Sequence, residues 1–217
     1  FSTIVNTTDG SLFYKVPFNK LNSMKFSPNG NHLLISDRFG KNVVIDINSK
    51  EQIFQNTLAD WFSRPEWHPS GKQIILPNYR NNNSAIINIS TSEIKLLTHD
   101  LSPAPNAAFS PDGNIVLTLT SQNASFHIWN TSTQEKSFSL SHSSGNLTEN
   151  NWRGVGNFTP DSSMVLTAGD DMNIKLWAAA SGDLLDQKTI NIRVKPFTKP
   201  IFSKTGNRFL IPLRENN

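Results

Sequence analysis

The chain has 217 residues, 36% of them apolar and 17% charged, with a formal net charge of +3. This is too apolar for a disordered chain, too sparsely charged for a coiled coil, and less basic than a dedicated nucleic-acid binder. Without cysteine there is no disulfide, thiolate nucleophile or cysteine zinc site, and no apolar run approaches the roughly 18 residues that span a bilayer.

In chain order, residues 1–16 supply two short runs, Thr3–Asn6 and Ser11–Tyr14. Residues 20–58 open a fuller unit. An aromatic-turn mark, Phe26-Ser-Pro-Asn-Gly30, is followed by the apolar runs His32–Ser36 and Asn42–Asp46. Residues 62–98 repeat the scheme with Trp67-His-Pro-Ser-Gly71, then Gln73–Leu76, Ala85–Asn88 and the alternating Glu93–Leu97. Residues 104–141 do so with Phe109-Ser-Pro-Asp-Gly113, Ile115–Leu119, Ser125–Trp129 and Lys136–Leu140. Residues 152–190 carry Phe158-Thr-Pro-Asp-Ser162, Met164–Thr167 and Ile174–Trp177, and residues 197–217 end with Pro200–Phe202, Phe202-Ser-Lys-Thr-Gly206 and Arg208–Ile211.

The five marks lie 41, 42, 49 and 44 residues apart. Short runs bounded by Gly, Pro, Asn and Asp read as strands, and a period near 40–45 marks a propeller array. A β-sandwich does not require the same mark at the same phase five times. The expected fold is therefore all-β: a β-propeller of four-stranded antiparallel blades, with the first strand of each blade at the hub. About five repeats are visible, with half a blade at 1–16 and half at 197–217. If the two ends share a blade, the ring has five blades. Phe1 stands where an initiator Met would, so the chain also reads as a trimmed segment, and a part of a larger propeller is the alternative.

These units resemble WD repeats. The fullest match is Leu166-Thr-Ala-Gly-Asp-Asp171 leading into Ile174-Lys-Leu-Trp177, with His142 ahead of it. The resemblance implies a buried hydrogen-bond chain in which Asp171 accepts from His142, His142 meets the Thr167 hydroxyl, and that hydroxyl meets the Trp177 indole. His99 stands where the same His would serve Trp129. Elsewhere the pattern departs: Ile45 and Ile87 replace Trp, Asn123 replaces the turn Asp, and Asn130 and Ala178 follow the two tryptophans where the family has Asp. Seven blades are usual for that family.

On a propeller, the loops from second to third strand and from fourth to next first strand emerge on one face. There the sequence places Arg38, Phe39, Tyr79, Arg80 and Arg214, with Trp61, Phe62, Arg64, Trp152, Arg153 and Lys199 from the entry loops. Arg and aromatic residues dominate binding hot spots, and the Arg fork suits carboxylates and phosphates. The expected function is a non-catalytic platform (a scaffold, sensor or adaptor module) that binds a protein or peptide partner, acidic or phosphorylated, on this face. In the competing reading, Asp37, Asp60, Asp170 and Asp171 in the same loops neutralise the arginines.

A propeller enzyme using the central channel and an extracellular glycan-binding propeller are the alternative functions. No Gly-rich phosphate loop or nucleophile elbow is present. The five histidines, His32, His68, His99, His127 and His142, lack ligand spacing, and His127 reads as a packing residue. No cofactor, metal or membrane insertion is expected. Asn-x-Ser/Thr triplets such as those at Asn88 and Asn130 read as chance in an Asn-rich chain. A cysteine-free chain with no signal-like opening suits a cytoplasmic setting.

Overall fold

A computed structural model describes residues 2–5, 8–16, 20–57, 64–79, 83–99, 106–119, 125–142, 154–169, 171–190 and 199–211. The described residues form strands and turns. The first hairpin pairs β1 (Ser2–Val5) with β2 (Leu12–Val16). Four four-stranded antiparallel sheets follow, each meandering in chain order. Blade one holds β3 (Leu21–Phe26), β4 (His32–Asp37), β5 (Asn42–Asp46) and β6 (Gln52–Asn56). Blade two holds β7 (Glu66–Trp67), β8 (Gln73–Tyr79), β9 (Asn83–Asn88) and β10 (Ile94–Leu97). Blade three holds β11 (Asn106–Phe109), β12 (Ile115–Leu119), β13 (Ser125–Asn130) and β14 (Lys136–Ser141). Blade four holds β15 (Val155–Phe158), β16 (Met164–Ala168), β17 (Asn173–Ala178) and β18 (Leu184–Thr189). A last hairpin pairs β19 (Ile201–Phe202) with β20 (Phe209–Leu210), and the two terminal hairpins are separate two-stranded sheets.

The second and third strands read as unbroken apolar runs because alternate residues bury against different neighbours. In blade one, Leu34 and Val44 pack with Ile74, Leu76, Ala85 and Ile87 of blade two. The intervening Leu33, Ile35, Val43 and Ile45 face Ile4 and Tyr14 of the first hairpin. Ile75 and Ile86 of blade two meet Phe109, Val116 and Trp129 of blade three. Leu117, Phe126 and Ile128 meet Phe158, Val165 and Trp177 of blade four. The sheets thus stack face to face in chain order, as propeller blades do. Outer strands lack a second covered face. β10 and β14 bury Leu97 and Leu140 among exposed neighbours, whereas all six residues of β18 are exposed.

Pro77 has no N–H to give to a ladder, and the β8–β9 pairing shifts register between Leu76 and Tyr79. The third-to-fourth-strand turns follow one plan. Lys50, Ser92, Gln134 and Gly182 take positive φ and donate back to the carbonyls of Asp46, Asn88, Asn130 and Ala178. Asn88 and Asn130 also cap these turns, each side-chain oxygen accepting two backbone N–H groups.

The five marks become five turns of one design between first and second strands. The N–H of Gly30, Gly71, Gly113, Ser162 and Gly206 donates to the carbonyl of Ser27, His68, Ser110, Thr159 and Ser203, respectively. Neighbouring turns also meet. The Asp112 N–H donates to the Ser162 hydroxyl at 3.0 Å, and the His68 ring reaches the carbonyl of Gly113. Blade two is thereby joined to three, and three to four, along the face opposite the predicted binding loops.

Candidate partner-binding face

The β4–β5 turn presents Arg38 and Phe39 to solvent, Phe39 at 58% exposure. Asp37 makes that turn, its Oδ1 accepting the N–H of Phe39 at 2.8 Å and of Lys41 at 2.9 Å. The Arg38 N–H donates to the Lys20 carbonyl at 3.0 Å, and the Lys20 ammonium lies 5.4 Å from the Phe39 ring centre. Lys20, Arg38 and Phe39 are therefore one surface group.

Arg64 is exposed just ahead of β7. Tyr79 ends β8 opposite Asn83, its side chain outside the description. Trp61, Phe62, Arg80, Trp152, Arg153 and Arg214 lie outside the described residues, as do Asp60, Asp170 and residues 143–151.

Lys199 sits deeper than an outer loop residue. Its ammonium donates to Glu66 Oε1 and, at 2.7 Å, to the Ala107 carbonyl. Lys25 of β3 reaches the same Glu66 Oε1. β3 and the segment entering β19 thus meet at the one carboxylate of β7, and β11 holds Lys199 there through the Ala107 carbonyl. Burial alone would raise the Glu66 pKa, but the Lys199 and Lys25 ammonium groups outweigh it and hold the pKa below the usual carboxylate range. For Lys199, burial pushes the pKa down and the positive charges of Lys25 and Arg64 add to that push, while Glu66 opposes it. The sequence reading names Arg64 and Lys199 as partner-binding candidates but not Lys25 and Glu66, which sit inside or at the end of strands and carry no loop signal.

The expected hydrogen-bond chain runs through all four residues in blade four. His142 Nδ1 lies 2.8 Å from Asp171 Oδ1, and His142 Nε2 lies 2.7 Å from the Thr167 hydroxyl. The Trp177 indole N–H donates to the same hydroxyl at 2.7 Å. Lys175 lies across the group, donating to the Ser141 carbonyl at 3.0 Å with Asp171 Oδ2 at 3.6 Å. Burial would raise the Asp171 pKa, but the hydrogen bond and charge of His142 dominate, with help from Asn173, and hold it at about 2.

Blade three keeps half of this network. The Trp129 indole donates to Thr118 at 2.8 Å, while His99 stacks edge-on against Trp129 at 5.0 Å and meets Ser84 at 3.0 Å. His127 is buried beside both aromatic rings. Thr118 was missed because its partner lies eleven residues on, across a loop without the expected Asp.

Among the described residues, no group of three His, Asp or Glu is placed to hold a metal, and no helix is long and apolar enough to cross a membrane. No match appears among curated proteins. Residues 139–178 match the family described as WD domain, G-beta repeat. That stretch runs from β14 to the end of β17 and contains His142, Thr167, Asp171 and Trp177. This matched WD repeat sits in one of four like four-stranded antiparallel sheets, and that repetition is the one seen in the blades of WD40 propellers.

Proposed function

We propose that this chain is a non-catalytic protein-interaction platform, as WD40 domains typically are, and that it captures an acidic or phosphorylated segment of a protein partner on the face carrying Arg38, Phe39, Arg64 and Lys199. The observation that carries this reading is how the described carboxylates of that face are used. Asp37 is turned onto backbone N–H groups, Asp171 onto His142, and Glu66 onto two lysines. Neither Asp37 nor Asp171 is spent on Arg38, which stands exposed beside Phe39. A cytoplasmic setting belongs to the same proposal.

The test is retention of acidic, phosphorylated and neutral peptides on the immobilised domain, compared with an Arg38→Glu, Phe39→Ala variant. Hot-spot truncation costs about 2 kcal/mol or more, so the variant is expected to lose capture while keeping its circular dichroism spectrum. Equal retention by both proteins defeats the assignment of this face.

A further inference from the structure

Where the innermost strands meet, they frame a cavity of about 460 Å³. Among the described residues its charged lining is Lys25, Arg64, Glu66 and Lys199, and Asn22, Ser23 and Asn106 add neutral hydrogen-bonding groups. We infer that this cavity is a site for one phosphate group, held by Lys25, Lys199 and Arg64. The inference rests on the reading of the domain as a binder of acidic or phosphorylated segments, and narrows it to one place and one chemical group.

Charge is the first argument. Two ammonium groups share a single carboxylate oxygen of Glu66, and Arg64 lines the same space. Cations drawn partly out of water favour a matching anion, since an uncompensated buried charge is costly. A phosphate ester carries about −1.5 to −2 charges at pH 7, against one for a carboxylate.

Donor supply is the second argument. Each ammonium has three N–H groups. Among the described residues, Lys199 places two of them, on Glu66 and the Ala107 carbonyl, and Lys25 places one, on Glu66. Lys25 reaches the cavity from β3 and Lys199 from the segment entering β19, so the two ammonium groups can meet the several oxygens of a tetrahedral oxyanion from different sides.

Preorganisation is the third. The Lys25 carbonyl accepts the Trp67 indole N–H at 3.0 Å, and the Lys199 ammonium is pinned by the Ala107 carbonyl. A cavity of this volume falls within the range of roughly 300–1,000 Å³ usual for ligand sites.

Titration calorimetry of the intact chain with inorganic phosphate tests the site. A phosphoserine peptide and its unphosphorylated twin then distinguish a free ion from a phosphorylated side chain as the occupant. Lys25→Gln is expected to weaken phosphate binding about tenfold, the loss of one charge-assisted hydrogen bond, and Glu66→Gln to tighten it by removing the competing carboxylate. Opposite shifts in two variants that melt like the parent are not explained by a merely structural role. No saturable phosphate binding, or equal affinity in both variants and the parent, overturns the site. If peptides are retained regardless of phosphorylation and of Lys25→Gln, the platform stands and the phosphate site fails. If phosphate binds but no peptide is retained, the site stands with the free ion as occupant and the platform reading fails.

Discussion

The His68 ring Nε2 donates to the carbonyl oxygen of Gly113 at 3.1 Å, latching a turn of blade two to the equivalent turn of blade three. The Ser70 N–H donates to the other ring nitrogen at 3.0 Å, so the ring is held from both sides as a neutral imidazole. Burial lowers the His68 pKa in spite of the Gly113 bond and the Asp112 charge, which favours that neutral form.

Gly113 is constrained twice, by φ of +80° and by this ring. A Cβ added there would lie 2.3 Å from His68 Nε2, whereas at Gly30, with φ of +75°, it would meet nothing within 4 Å. Gly30→Ala should cost only the left-handed backbone penalty, about 1 kcal/mol. Gly113→Ala should cost about 1–3 kcal/mol more. Urea unfolding of the two variants measures the difference, and equal midpoints contradict the latch.

Thr167 serves two partners with one hydroxyl. Thr167→Val keeps the shape and strips hydrogen-bond partners from both His142 and Trp177, so about 2–3 kcal/mol of stability should be lost. Thr118→Val orphans the Trp129 indole and should cost less, about 1–2 kcal/mol. Chemical denaturation of the pair gives the order. The reverse order removes the case for a cooperative network in blade four.

Asp171 is held at about 2, below its ordinary value of 3.8. An ion with a depressed folded pKa contributes stability that is fully present above the unfolded value and is lost as pH falls through the folded one. Stability should therefore fall between about pH 4 and pH 2 partly through Asp171. Asp171→Asn should be less stable at pH 7 and show a shallower loss across that window. Parallel melting-temperature profiles for the two proteins would exclude this role.

If the captured segment is acidic, capture should weaken with salt. Raising ionic strength from about 0.1 M to 1 M shortens the screening length from about 10 Å to about 3 Å. Retention of the best acidic peptide should drop steeply over that range. Salt-insensitive retention would point to apolar docking instead.

Local chemistry made much of the fold legible. The aromatic-turn marks punctuate the chain within five residues each, and the apolar runs between them record burial on both faces. The quartet of His142, Thr167, Asp171 and Trp177 was readable because each member sits at a fixed offset from a strand end. The Lys25, Glu66 and Lys199 convergence was not readable. Its members come from separate units, 41 and 133 residues apart, and meet only because the first strands of neighbouring blades lie against one another. His68 was hidden differently, since in Trp67-His-Pro-Ser-Gly71 it looks like an ordinary turn residue. Nothing local announces that its ring bridges to the neighbouring unit.

The row of interlocked turns makes the two ends of the molecule unequal in what they tolerate. At one end the turns are of equal length and those of blades two, three and four are bonded to one another, so an insertion there would displace its neighbours along with itself. The opposite end hangs from strands already fixed by those turns. New segments grafted between β4 and β5 or ahead of β7 should change what the domain recognises while leaving its frame in place, a division that suits it as a base for engineered binders.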